Sequence, residues 1–374
     1  MSVPVTTPII SADSHMLEPP DLWVQRLAAP YRERAPRVYW DEGKNGWFFG
    51  GPGVPPIRAA GLFGAGKTDE ELADHWKKGY EAARPGGWDP AERLKDMALD
   101  GVAAEVLYTS LGFNLFWITD ADFQEACFRV YNDWLAEFVS HDPTRFAGLG
   151  LISLWRVDHA VEELQRCRRL GLRGAMIWAS PPAERPFTSR DYDPFWAAAQ
   201  DLDMPISLHI LTGQGWESKG LADESMDRYQ RNLNQPAEIQ RSLTALLFSG
   251  VLERFPRLKI VSAENDIGWV AYYLYRADRA YKRFRHLSPT PLTMPPSAYF
   301  RRQVYATFMD DPVGTFTVAL VGADNFMWSS DYPHQASTWP HSREVIARDF
   351  KDLGEEETRK IVHDNCAELY GFTV

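Results

Sequence analysis

Three cysteines in 374 residues are too few for a disulfide framework. Cys127, Cys167 and Cys366 cannot all pair, and they sit in helix-like stretches without metal-ligand spacing. That pattern fits buried thiols in a reducing compartment. Positive charge is also short: 40 Lys and Arg stand against 51 Asp and Glu, a net charge of −11. A nucleic acid duplex would be repelled, and the basic cluster Arg166, Arg168 and Arg169 reads as the exposed face of one helix. No apolar run approaches the roughly 18 residues that a membrane span needs. The first eight residues contain no basic side chain, so no cleavable leader is read there. Internal repeats and low-complexity tracts are missing too. The expectation is a cytoplasmic protein with no nucleic-acid or membrane partner.

What is present is apolar and aromatic residue in quantity. At 45% hydrophobic and 13% aromatic, the chain can bury a large core. Short runs rich in Val, Ile, Leu and aromatics occur at 8–12, 102–108, 146–152, 172–178, 205–210, 258–263, 304–308 and 326–329. Apolar on nearly every residue, they read as strands buried on both faces. Amphipathic helical stretches alternate with them at 122–140, 157–170, 194–202, 236–254, 268–284, 312–321 and 342–352, and a last helix spans 355–370. In the second of these, Val161, Leu164 and Leu170 form the apolar face and Gly171 supplies a left-handed stop. Eight strands alternating with helices predict a parallel sheet, closed as a (β/α)8 TIM barrel in one domain over 1–374; an open doubly wound sheet is the competing arrangement.

One connection is far too long for an ordinary βα loop. Residues 16–89 are dense in Trp, Gly and Pro, with Trp40, Trp47, Trp76 and Trp88 among them. Exposed aromatics at that density would be costly in water, so this insertion after strand 1 is expected to be an ordered cap over the barrel mouth. Within it, the run Gly61 to Thr68 (GLFGAGKT) matches a phosphate-binding loop. Such a loop requires a buried strand just before it. Here Pro52, Pro55 and Pro56 precede it, and proline cannot donate to a central sheet. Nucleotide binding is therefore rejected, and a glycine turn in the cap is read instead.

The chemistry lies at the ends of the strand-like runs. Asp13 and His15 flank Ser14, so a strand would point both to one face. His209 closes the fifth run, Glu264 follows the sixth, and Asp331 with His334 follows the eighth. In a parallel barrel those ends converge, and carboxylates with imidazoles at one rim are the donors of a divalent cation. Asp13, His15, His209, Glu264, Asp331 and His334 are the candidate ligands, with His334 equally suited to a hydrogen bond behind Asp331. Asp331, His209 and Glu264 are the candidate catalytic residues. Trp178, Trp216 and His75 are candidate substrate contacts.

Taken together, Ile10 to His15 (ISADSH), His209, Ser329 to His334 (SSDYPH) and the closing Asn365, Ala367, Leu369 and Gly371 resemble the amidohydrolase superfamily. The similar branch holds aminocarboxymuconate-semialdehyde decarboxylase and benzoate decarboxylases. The resemblance implies a (β/α)8 barrel holding a divalent ion between the strand-one pair, the strand-five His and the strand-eight Asp. Position 13 is Asp where relatives carry His or Glu, and position 264 is Glu where decarboxylases commonly carry His. A carboxylate at 264 can bridge, so two ions are an option. Three oxygen and three nitrogen donors favour iron or manganese, with zinc also open. The leading expectation is a metal-dependent hydrolase or non-oxidative decarboxylase of a small carboxylated or cyclic molecule. The rival, also implied by the resemblance, is a dinuclear-iron oxygenase; a non-catalytic subunit is the third reading. A homodimer, or assembly with a related subunit, is expected.

Overall fold

The computed structural model describes residues 7–214 and 228–374. In chain order the strands are β1 (Ile10–His15), β2 (Arg37–Asp41), β3 (Gly46–Gly51), β4 (Val54–Arg58), β5 (Ala104–Tyr108), β6 (Phe146–Leu151), β7 (Gly174–Ile177), β8 (Ile206–His209), β9 (Ile260–Ala263), β10 (Val304–Phe308) and β11 (Phe326–Trp328). Eight of them, in the order β1-β5-β6-β7-β8-β9-β10-β11, form one all-parallel sheet. The last edge meets the first through two backbone bonds, His15 N–H to Tyr332 O (2.6 Å) and Asp331 N–H to Asp13 O (3.0 Å). The barrel thus closes at the residues expected to bind metal. All eight runs read from the sequence are strands, and the fold is a (β/α)8 barrel.

Local chemistry explains where the outer helices begin and how they pack. Asp89 accepts hydrogen bonds from the backbone of Ala91 and Glu92, Pro90 fills the first helical position, and Gly101 ends the helix Pro90–Asp100 with φ 74°. Gly148 in β6 lets the helix Ala121–Val139 close on the sheet, because a Cβ there would lie 2.9 Å from both Leu135 Cγ and Leu172 Cδ2. The helix Val157–Arg169 differs in detail from expectation. Its buried stripe is Ala160, Leu164 and Cys167, while Val161 is half-buried and Leu170, past the last turn, is exposed. The stripe is set by which residues face the sheet, and the sequence could only assign it to within one position.

A helix expected at 236–254 begins upstream, as Arg228–Phe248, and restarts as Val251–Arg254 after Gly250 takes φ 77°. The last helix is interrupted, running Glu355–Arg359, a wide turn at Lys360–Asp364, then Asn365–Tyr370. Asn365 Nδ2 donates to Ala323 O and Phe326 O, both at 2.7 Å, and so seals the base of β11. All three cysteines are buried free thiols, pushed up in pKa by burial. Among the described residues, no helix is long and apolar enough to cross a membrane.

The insertion contains a three-stranded antiparallel sheet, β2-β3-β4, and the helix Asp69–Lys78. A strand does precede the glycine turn, which the sequence reading had denied. It is β4, an edge strand carrying Pro55 and Pro56, where missing donors do no harm.

Candidate metal centre

Each candidate ligand stands at the carboxyl end of a barrel strand. Asp13 and His15 lie within β1 and reach the mouth, while Ser14 Oγ turns away to Ser11 Oγ (2.8 Å) and Glu105 Oε1 (3.1 Å). His209 is the last residue of β8, Glu264 follows β9 directly, and Asp331 comes just past β11. A buried ion pair holds the end of β1: Arg93 Nε donates to Glu105 Oε2 (2.6 Å) and its Nη1 to His15 O (2.9 Å).

Donor atoms within 4.8 Å of one another fall into two sets that share His15: Asp13, His15 and His209, and His15, Glu264, Asp331 and His334. His15 Nε2 lies 3.4 Å from Asp13 Oδ1, 3.2 Å from Asp331 Oδ1 and 3.7 Å from Glu264 Oε2. His209 Nε2 lies 3.6 Å from Asp13 Oδ1 and 3.2 Å from Glu264 Oε2. Atoms bonded at about 2.0–2.2 Å to one ion stand roughly 3–3.6 Å from their neighbours, whether tetrahedral or octahedral. The fit is close. Asp13 Oδ1, His15 Nε2 and His209 Nε2 are also buried without a hydrogen-bond partner, and buried polar atoms seldom go unmatched. These residues fit a divalent cation. Glu264 (φ 54°), Asp331 (φ 58°) and neighbouring Leu211 (φ 70°) adopt left-handed backbone, a strain of about 1–3 kcal/mol each that concentrates at working sites.

Outer hydrogen bonds aim the donors. His15 Nδ1 faces Thr109 O at 2.7 Å and His209 Nδ1 faces Ile210 O at 2.9 Å, so each Nδ1 carries a proton and each Nε2 is the atom offered to an ion. Thr307 Oγ1 donates to Asp13 Oδ2 (3.0 Å) and accepts from the Glu264 N–H (2.8 Å). Glu18, fully buried, accepts from Thr109 Oγ1 and from Leu111 N–H (2.9 Å), fixing the turn that presents the Thr109 carbonyl. The Phe113 ring lies 4.6 Å from that of His209 and 5.5 Å from that of His15.

The charges favour a cation. Burial opposes the charge on His15, yet Asp13, Asp331 and Glu264 outweigh it and hold the imidazole well above its ordinary pKa. Burial likewise opposes charge on His209, but Asp13 and Glu264 raise it to about 9. Burial would raise both aspartates. His209 and His15 instead hold Asp13 below the usual carboxylate range, and His334 and His15 do the same for Asp331.

Some expected residues stand elsewhere. His334 Nδ1 is 2.9 Å from Asp331 Oδ1 and its Nε2 is 2.9 Å from Ser110 Oγ. Both ring nitrogens face protein atoms, and the ring also stands within ligand reach alongside His15, Glu264 and Asp331, so it is placed both to hold an ion and to back Asp331. His75 does not reach the cavity: its Nε2 is 2.6 Å from Phe63 O, and it braces the cap from within. Trp178 is buried in the wall, its indole N–H donating to Phe116 O (3.3 Å) and its ring edge-on to Trp155. Neither lines the cavity above the donors, because each polar handle is already engaged by the backbone of a neighbouring turn. Trp216 lies outside the described residues. That cavity, about 390 Å³, is lined by Leu62, Lys67, Leu72, Phe113, Leu211, Gln335 and Ala336 together with Glu264, Asp331 and His334. Leu62, Lys67 and Leu72 come from the insertion. Sequence reasoning missed Thr109, Ser110, Phe113 and Thr307. A threonine near the end of the otherwise apolar β10 was a visible signal for Thr307; the role of Thr109 is carried by its backbone and had none.

Comparison with known proteins settles the lineage. The family profile described as Amidohydrolase matches residues 14–372. The chain belongs to the amidohydrolase family. Its relatives lie in the branch read from the sequence. It is 24% identical over 288 residues to 2-amino-3-carboxymuconate-6-semialdehyde decarboxylase of Dictyostelium discoideum, covering 76% of this chain and 77% of the relative. It is 34% identical over 271 residues to the decarboxylase orsB of Emericella nidulans, covering 66% of this chain and 76% of that one. The structure of dihydroxybenzoic acid decarboxylase from Polaromonas sp. JS666, solved with manganese and the inhibitor 2-nitroresorcinol, superposes with a TM-score of 0.68. That match has 18% identity and covers 98% of this chain and 97% of the other, which speaks to the shared barrel fold.

Proposed function

We propose that this amidohydrolase-family chain is a metal-dependent, non-oxidative decarboxylase of a small aromatic carboxylic acid. The observation that carries the reading is the cluster of carboxylate and imidazole donors around His15, three of them buried and unpartnered, beneath a cavity with apolar walls. Decarboxylase relatives of similar length support it. We assign one ion, held by Asp13, His15, His209, Glu264 and Asp331. Donors for a second ion are within reach, because Glu264, Asp331 and His334 form a set that need not use His15; the oxidative alternative lacks support because the named relatives are decarboxylases. Three carboxylates, two imidazoles and no thiolate suit manganese or iron, with zinc a weaker match. Bound there, the ion would polarise the substrate's oxygen substituents and draw electron density from the ring.

The chain's own groups do the rest. Leu62, Leu72, Phe113 and Leu211 enclose a ring and exclude water from it. A proton passes from His334 by way of the Asp331 carboxylate to the ring carbon that bears the carboxylate. The bond from that carbon to the carboxylate breaks, its electron pair stays with the ring, and CO2 leaves. His334, in contact with Asp331 Oδ1 on one side and Ser110 Oγ on the other, replenishes the proton. The test is a metal-stripped sample reloaded with Mn²⁺, Fe²⁺ or Zn²⁺ and incubated anaerobically with hydroxybenzoic acids. CO2 release that disappears on metal removal is expected. An absolute need for O2, or hydrolysis of amides or lactones with no CO2 from any acid, would overturn the assignment.

We also propose that the chain pairs with a second copy. The helix Pro312–Val321 is apolar on both faces: Val318 packs inward, while Val313, Phe316 and Leu320 are at least 60% exposed beside Tyr272 and Tyr275 of the helix Val270–Phe284. A helix apolar all round is normally covered. These five side chains offer on the order of 600 Å² of mostly apolar surface, most of the ~800 Å² per partner in a standard interface.

A further inference from the structure

We infer that Lys67 is the anion-recognising group of the metal cavity, binding a carboxylate of the substrate through its ammonium. The inference rests on the decarboxylase reading for the kind of substrate, but not for the placement of the lysine. It gives a use to the run from Gly61 to Thr68, which looks like a phosphate loop and lacks the buried strand such a loop needs.

The turn is keyed to the segment that follows Asp331. A Cβ on Gly66, whose φ is 73°, would lie 2.7 Å from Trp339 Cζ3; one on Gly64 would lie 3.2 Å from Gln335 Cα and 2.9 Å from Leu72 Cδ2. Between them Ala65 N–H donates to Pro333 O at 3.0 Å, and Ala65 packs with Tyr332 and Trp339. Only glycine permits so close an approach at these two positions. On the other side Thr68 caps the helix Asp69–Lys78, exchanging bonds with Glu71 (Glu71 N–H to Thr68 Oγ1 3.3 Å, Thr68 N–H to Glu71 Oε2 2.9 Å). Lys67 is thus held between two anchored residues, its own N–H bonded to Gly64 O at 3.1 Å.

Lys67, exposed to solvent, lines the same cavity as Glu264, Asp331 and His334, and it is the one Lys or Arg among the lining residues. Among the described residues no carboxylate lies within salt-bridge distance of its ammonium, unlike those of Lys77, Lys95 and Lys360; Glu71 feels its charge from farther off. Charge balance points the same way. Three carboxylates and one divalent ion leave the centre with a net negative charge, and an incoming carboxylate adds another. An ammonium on the cavity wall offsets that repulsion and selects an acid over its neutral analogue.

The test measures binding separately from turnover. Manganese-loaded wild-type protein, Lys67→Met and Lys67→Arg are titrated with 2,6-dihydroxybenzoate and with its uncharged carboxamide. Lys67→Met should weaken acid binding about 10- to 100-fold, the worth of one charge-assisted hydrogen bond. Amide affinity, metal content and Tm should hold, and Lys67→Arg should restore most of the loss. If Lys67→Met binds the acid as tightly as wild type, the inference is overturned and the decarboxylase reading stands. If wild type binds the acid through Lys67 yet releases no CO2, the reaction is misassigned and the inference stands. Wild-type protein that binds neither compound overturns both.

Discussion

Replacing Thr307 by valine removes one hydroxyl and almost no volume from the outer layer of the metal centre. The hydroxyl donates to Asp13 Oδ2 at 3.0 Å and accepts the Glu264 N–H at 2.8 Å, so two ligands lose support at once. A hydrogen bond to a carboxylate is worth about 1.5–3 kcal/mol, and a donor left without a partner costs about 1–3 kcal/mol. Part of this falls on the fold and part on the ion. Outer-layer losses typically weaken metal binding about 10- to 100-fold, and the Thr307→Val protein should fall in that range. Competition with a chelator of known affinity measures it, alongside Thr307→Ser, which keeps the hydroxyl and should stay within a few-fold of wild type. Valine and serine variants that both bind manganese like wild type would refute the claim that Asp13 and Glu264 are ligands aimed through this residue.

Metal loading should also release protons. With His209 raised to about 9 and His15 raised well above its usual value, both rings carry a proton at pH 7 before the ion binds. Calorimetry in buffers of different ionisation enthalpy should then report roughly two protons released per ion; none released would contradict the ligand set. The same raised pKa fixes a sign for stability. In metal-free protein the His209 contribution is complete below the unfolded value of about 6.5 and fades as pH rises through about 9, so Tm should fall across that window. His334→Gln should retain metal and lose about 100-fold or more in turnover, because it supplies protons without holding the ion; loss of metal in that variant would make it a ligand after all. Phe316→Glu should shift the chain from dimer to monomer in light scattering, and an unchanged mass would remove the proposed interface.

The candidate ligands and their strand-end positions were legible because they depend on local pattern. Eight apolar runs, with Asp13, His15, His209, Glu264 and Asp331 at their ends, specify a barrel rim through strand period and parallel topology alone. Asp89 and Gly101 similarly mark their helix by contacts within a turn or two of the chain. The insertion was readable only as an anomaly of length and composition. Its antiparallel sheet, and the edge placement that makes the prolines of β4 acceptable, depend on pairings with no counterpart in the barrel pattern.

Which atoms would meet an ion was decided in three dimensions. His334 has the chemistry of a ligand, yet the turn after Asp331 commits one nitrogen to Ser110, more than two hundred residues away in sequence. His75 and Trp178 had suitable side chains for a pocket, and backbone carbonyls of Phe63 and Phe116 claim them instead. Lys67 looked like part of a failed nucleotide motif until the close seating of Gly64 and Gly66 set it over the cavity. Residue identity and spacing determine what chemistry a chain can offer. The direction of each lone pair and ammonium depends on long-range closure and on backbone partners, which leave no mark in the order of the letters.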